Sequence, residues 1–321
     1  MIEATGQPLW PPRSYVQWRY ARVVPLIVPP PLAPGDLIAV VAPSGPVPRE
    51  ELWRGLAWLR ARYRIHMGSG ALARFGYLAG DDERRRQELE RAMLDREVKA
   101  IVAARGGYGV MRFVDALPWE SLIERPKWIV GFSDITALHA FAWRNGIASA
   151  HAPNVTGLGR ISSAGERAAW LASLERPRFE RNWPDLRVIR SGRAVGPVIG
   201  GNLSLVHAMA AANRLSLPPG CVLALEDVSE APYRIDRMLT SLLIGSHLDA
   251  VSSIVFGGFE RCAAVDGGPT VDEVLDRCTR PLGIPVLAGA PFGHGTRNDA
   301  FVLGAAMRIE DNEVVWAAGD G

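Results

Sequence analysis

The stretch that decides the fold is Trp128-Ile-Val-Gly-Phe-Ser-Asp-Ile-Thr-Ala-Leu-His-Ala-Phe141. Residues 128–132 are apolar or glycine, a run short enough for a buried strand. From Asp134 the period changes. Ile135, Leu138, Phe141 and Ala142 fall three or four apart, one face of a helix. Ser133 stands where the strand ends and the helix begins. A serine there projects its hydroxyl from the carboxyl edge of a sheet, beside backbone N–H groups and the positive end of a helix dipole. A nucleophile needs that setting: an exposed oxygen, and donors for the charge that develops on an attacked carbonyl. The same place suits a plain N-cap, so the serine alone decides nothing.

The strand–helix rhythm continues on both sides. Leu37–Ala42 reads as a buried strand closed by Pro43 and Gly45, followed by helices over about 49–63 and 81–95. Val98–Ala104 is a second strand, running into Arg105-Gly-Gly-Tyr-Gly109 and a helix near Val110–Ala116. This alternation predicts an α/β fold: a parallel sheet, helices on both faces and ligands at the carboxyl ends of the strands. Residues 36–160 form this nucleophile domain. Residues 1–35 carry eight prolines and read as an irregular arm, with Val23–Val28 lying along a neighbour. Residues 161–192 lose the rhythm and read as a connection with one short helix at Glu166–Leu174. Residues 193–321 make a second domain. There Val195–Ile199 leads into Gly200-Gly-Asn-Leu-Ser204, where Asn202 can cap a helix. Cys221–Leu225 is a strand ending in Glu226-Asp227. Ile284–Ala288 opens into Gly289-Ala-Pro-Phe-Gly-His-Gly295, and Phe301–Val315 reads as a closing pair of strands.

Composition narrows the function. The 321 residues hold 36 basic and 34 acidic side chains, a net charge of +2, which argues against a nucleic-acid binder. Arg84-Arg85-Arg86, set among acidic residues, reads as a solvated helix face. Three cysteines form no pair motif and suit a reducing compartment. Six histidines show no metal-ligand spacing. No signal sequence or membrane-length apolar run is present, so a soluble, cytoplasmic protein is expected.

Single candidates are weak. The glycine loop at 105–109 lacks the spacing of a phosphate-binding motif. Glu226 by itself reads as a solvated strand end, and His294 as a loop histidine. His139 and His151 are rival bases, the first facing away from Ser133 and the second able to line the same cleft. Together, Ser133, Glu226 and His294 each stand at a turn after an apolar strand. If those turns converge, the histidine can take the serine proton while the carboxylate fixes its tautomer. The chain order Ser…Glu…His is no obstacle.

Several blocks then resemble one family. Gly35-Asp…Ala42-Pro-Ser44, Arg105-Gly-Gly-Tyr-Gly109, Gly131-Phe-Ser-Asp-Ile-Thr136, Gly200-Gly-Asn-Leu203, Leu225–Arg237 and Gly293-His294 are similar to the signature blocks of the LD-carboxypeptidases. That serine-peptidase family includes murein tetrapeptide carboxypeptidases and microcin C immunity peptidases. The blocks stand in the family's order and span about 36 to 308. The resemblance implies a flavodoxin-like nucleophile domain joined to a mostly β C-terminal domain, with the active site between them. It implies Ser133 as nucleophile, Glu226 as orienting acid and His294 as general base. The oxyanion hole would use backbone N–H groups of Asp134 and of Gly106 or Gly107. It implies a cytoplasmic homodimer with no metal and no cofactor. The expected reaction is release of D-alanine from murein tetrapeptide, with Arg105 and Arg234 as candidates to meet the substrate's terminal carboxylate. The alternatives are a peptidase acting on a microcin-like peptidyl-nucleotide, a non-catalytic peptide-binding module and a nucleotide-dependent enzyme. Relatives often read His-Gly-Pro where this chain has His151-Ala-Pro153, and residues 155–190 match none of the blocks.

Overall fold

A computed structural model describes residues 26–160, 163–264 and 267–318. The first sheet comes from the alternating segment. Its elements are β1 (Leu37–Val41), α1 (Arg49–Arg60), β2 (Arg64–Met67), α2 (Asp82–Leu94), β3 (Val98–Ala103), α3 (Glu120–Glu124), β4 (Trp128–Gly131), α4 (Thr136–Arg144) and β5 (Ser149–His151). The five strands pair in parallel in the order β5-β4-β3-β1-β2, so their carboxyl ends share one edge. The expected α/β architecture with a parallel sheet is the one the chain adopts. Helix α5 (Val155–Arg160) closes this half.

The second sheet takes α6 (Ala164–Glu175), β6 (Arg181–Trp183), β7 (Arg187–Arg190), β8 (Arg193–Asn202), α7 (Leu203–Ala211), β9 (Val222–Val228), α8 (Pro232–Ile244), β10 (Ser253–Glu260), α9 (Val271–Thr279) and β11 (Val286–Ala288). After β12 (Phe301–Leu303), the hairpin β13 (Ala306–Glu310) and β14 (Glu313–Ala317) ends the described chain. Its eight strands run β6-β14-β13-β8-β9-β10-β11-β7. The stretch from β8 to β11 is parallel and the flanks are antiparallel. Helices α7, α8 and α9 pack their apolar residues against it around Leu223, Ile254 and Phe256.

Some local expectations change. Phe301–Leu303 does not pair with the tail. It adds antiparallel to β5 on the first sheet, Phe301 opposite His151, and so ties the two halves together. Phe301 is fully buried there against the His151 ring, which repays leaving the hairpin. The connection at 161–192 holds more than one helix. It also supplies β6 and β7, the two edges of the second sheet. Edge strands half open to water lack the apolar alternation that would reveal them. Residues 110–116 form two separate 3-10 turns, not one helix.

The arginine run is not a solvated face. Arg85 is fully buried and donates to Pro43 O at 2.7 Å. Arg84 donates to Ala42 O and pairs with Glu88, whose carboxylate accepts from Ala42 N at 2.8 Å. Only Arg86, paired with Glu83 and Glu90, behaves as read. On α2, Leu89 and Met93 are buried while Leu94 at its end is exposed. In the arm, residues 1–25 lie outside the described part. Ile27 runs parallel to Ile147, donating to Gly146 O and accepting from Ala148 N. Among the described residues no helix is long and apolar enough to cross a membrane.

Candidate active site

Strand β4 ends at Gly131, Phe132 is extended, and Ser133 turns with φ of 66° before a single 3-10 turn leads into α4. Non-glycine residues seldom adopt positive φ, and such strain is concentrated at functional turns. Ser133 is half-buried. Beside it runs the glycine loop that leaves β3. A Cβ on Gly106 would sit 2.7 Å from Ser133 Cβ and 2.9 Å from its Oγ, so only glycine lets the two turns meet. Gly107 has φ of 120°, a value closed to ordinary side chains. Gly45 N donates to Gly106 O at 3.1 Å and holds the loop against the end of β1.

The second half brings in the other two groups. Glu226, near the end of β9, is fully buried. His294 Nδ1 lies 2.7 Å from Glu226 Oε2. A carboxylate only accepts, so Nδ1 carries the proton and Nε2 is left as the basic nitrogen. The His294 ring packs 4.8 Å from the ring of Phe132, the residue before Ser133. Gly293, with φ of 116°, permits this approach: a Cβ there would lie 2.7 Å from Glu226 Oε2. Loops separated by 68 residues in one case and more than 150 in the other thus meet at one end of β4.

Residues 38–152 match the LD-carboxypeptidase N-terminal domain, and residues 195–309 match the LD-carboxypeptidase C-terminal domain. The chain belongs to the LD-carboxypeptidase family. A putative carboxypeptidase of Synechocystis is 38% identical over 290 residues, 87% of this chain and 93% of the relative. The murein tetrapeptide carboxypeptidase of Pseudomonas aeruginosa is 31% identical over 291 residues, 87% of this chain and 94% of the relative. The crystal structure of muramoyltetrapeptide carboxypeptidase from Oxalobacter formigenes superposes with a TM-score of 0.79 at 27% identity, over 88% of this chain and 99% of that one.

In this LD-carboxypeptidase, Asn202 does more than cap α7. Its Oδ1 accepts from Leu205 N, while its Nδ2 donates to Glu226 Oε1 at 3.3 Å and to Asp227 Oδ1 at 3.0 Å. Its backbone N–H reaches Thr136 Oγ1 at 3.0 Å, stitching β8 to the first turn of α4. The sequence signals only the cap. That β8 and β9 are paired with Asn202 opposite Glu226 is a matter of register, invisible in one chain.

The rival bases fall away. His139 is buried; its Nε2 donates to Gly131 O and its Nδ1 accepts from Ser149 Oγ, both at 2.9 Å. Burial pushes its pKa down to about 4. His151 does not line the cleft. It is fully buried between Phe132, Phe292 and Phe301, and among the described residues neither ring nitrogen has a hydrogen-bond partner. Burial likewise pushes its pKa well below the ordinary histidine value. Each imidazole is neutral in the fold and takes up a proton on unfolding once the pH drops below 6.5. Stability is therefore complete above that pH and lost as pH falls toward the folded pKa. For His139 the loss amounts to about 3 kcal/mol by pH 4. Urea melts between pH 7 and 4.5 should show a falling midpoint. His151→Phe, which keeps the aromatic packing, should flatten that fall, and an unchanged slope in the variant would refute the assignment.

Arg105 is exposed and donates to Pro46 O at 2.6 Å. Arg234 is exposed on α8, near Glu230 at 3.5 Å and Tyr233 Oη at 3.2 Å. Neither is hydrogen-bonded to the Ser133, Glu226 or His294 side chains. Among the described residues no three His, Cys, Asp or Glu side chains gather as metal ligands.

Proposed function

We propose that this LD-carboxypeptidase works through Ser133, His294 and Glu226 and removes the C-terminal D-alanine of murein tetrapeptide. The observation that carries the reading is the 2.7 Å contact between His294 and buried Glu226, delivered against Phe132 one residue from Ser133. Ser133 Oγ attacks the carbonyl of the L-configured centre as His294 Nε2 takes its proton. The N–H groups of Asp134 and of Gly107 or Gly106 receive the oxyanion. His294 returns the proton to the departing D-alanine amine, and water then cleaves the ester by the same route in reverse. Glu226 holds the imidazole in its Nδ1–H tautomer and stabilises the imidazolium. Arg105 or Arg234 meets the terminal carboxylate of the substrate. Action on short, recycled wall peptides fits a cytoplasmic homodimer that uses no cofactor, with residues 36–160 as the nucleophile domain and 193–321 carrying the other two groups.

The test is incubation with L-Ala-γ-D-Glu-meso-diaminopimelate-D-Ala. Equimolar tripeptide and free D-alanine are expected. Cleavage of a peptidyl-nucleotide amide instead, with no D-alanine from the tetrapeptide, would move the substrate to the microcin class. Gly107→Ala strains a left-handed residue whose Cβ would press on Gly45 N at 3.1 Å. If its N–H serves the oxyanion, kcat should fall about 10²–10³-fold. Wild-type kcat in this variant would pass the donor role to Gly106.

A further inference from the structure

Asp134 has a side chain as well as a backbone N–H, and the two do different work. We propose that its carboxylate is a positioning residue that fixes the glycine loop forming the oxyanion hole; this rests on Ser133 being the nucleophile. Asp134 is fully buried. Its Oδ2 accepts from Ser44 Oγ at 2.6 Å and from Val110 N at 3.0 Å. Besides the Arg105 side chain on Pro46 O, the glycine loop runs between two further ties. Gly106 O is held by Gly45 N at its entrance, and Val110 N by Asp134 at its exit. Ser44 precedes Gly45, so one carboxylate oxygen secures both the loop and the segment the loop leans on. That segment is braced from behind by α2, through Arg85 on Pro43 O and Glu88 on Ala42 N.

The loop cannot hold itself. Gly106, Gly107 and Gly109 have no side chains to pack, and glycine is the residue with the most backbone freedom to lose. An oxyanion donor must stand about 2.7–3.1 Å from the developing charge, and misplacement by about 1 Å costs on the order of 10²-fold. Asp134 follows Ser133 directly, so its carboxylate refers the loop to the nucleophile's own turn.

The experiment compares Asp134→Ala, Asp134→Asn and Ser44→Ala in the full chain, by D-alanine release and by the rate at which a fluorophosphonate phosphonylates Ser133, with loss of fluoride. Asp134→Ala should lower kcat and the fluorophosphonate rate together by about 10²–10³-fold, with KM held within about threefold if ground-state binding is untouched. Asp134→Asn keeps an oxygen able to accept both donors and should lie within about tenfold of wild type. Ser44→Ala loses one tie and should fall about tenfold. Wild-type kcat and labelling in Asp134→Ala overturn the proposal. So does equal loss in Asp134→Ala and Asp134→Asn that follows only the folded fraction seen by circular dichroism. If Asp134→Ala does not fold, unchanged rates in Ser44→Ala overturn it. A wild-type enzyme that labels at Ser133 but releases no D-alanine ends the substrate reading and leaves the labelling rates to decide the role of Asp134. A wild-type enzyme that does not label at Ser133 ends both.

Discussion

Ser133→Ala is expected to lower kcat by about 10⁶-fold, the loss seen when the nucleophile of a coupled hydrolase triad is removed. In energy this is about 8 kcal/mol of lost transition-state stabilisation. The fold should survive, because alanine deletes only a half-buried hydroxyl. Its φ of 66° remains costly for alanine, so a drop in thermal stability of a degree or two is acceptable; a large one is not. KM, where it can still be measured, should stay near the wild-type value, since His294 and the oxyanion donors act mainly on the transition state. D-alanine release timed over hours measures the residual rate. Activity within tenfold of wild type would remove Ser133 from the mechanism.

The second large effect is at Glu226. Glu226→Gln keeps size and burial but replaces an acceptor with an amide that can present N–H₂ to His294. The imidazole can then turn over its tautomer, placing its proton on Nε2, where it cannot accept from Ser133. In a related triad geometry such a change costs about 10⁴-fold in kcat. Glu226 is fully buried, and its other oxygen takes a bond from Asn202 Nδ2. With its amide nitrogen toward His294, the substituted side chain keeps an oxygen toward Asn202 Nδ2, so that bond survives and stability should change by no more than about 1 kcal/mol. Steady-state kinetics across pH check the claim: kcat of Glu226→Gln should be lower at every pH, not merely shifted along the axis. A kcat close to wild type would mean that His294 does not depend on this carboxylate.

The parts legible in the sequence were those written in short-range chemistry. The change from a five-residue apolar run to helical spacing at Trp128–Phe141 located β4, the turn and α4. Strands ending in Glu226 and in Gly289–His294 located the two partners. What escaped was set by distance. The left-handed turn at Ser133 follows from tertiary packing against Gly106, not from any residue preference. Arg84 and Arg85 looked solvated because their neighbours are acidic; they do pair with Glu88 and Asp82, but both also donate to carbonyls of residues 42 and 43 beyond β1, which no local pattern shows. Strands β6 and β7 escaped because half-exposed edges carry no alternating pattern, and β12 because three residues added to a distant sheet leave no local signature. Burial of His151 was likewise unreadable: it depends on Phe292 and Phe301, more than 140 residues away.

Reaction of the purified enzyme with a fluorophosphonate, followed by peptide mapping in the wild type and in His294→Ala, tests most directly whether the three turns form one working unit. One phosphonyl adduct on Ser133 is expected, and its formation should slow by at least about 10³-fold without the imidazole. An adduct on another residue, or equal labelling of Ser133 in both proteins, would contradict it.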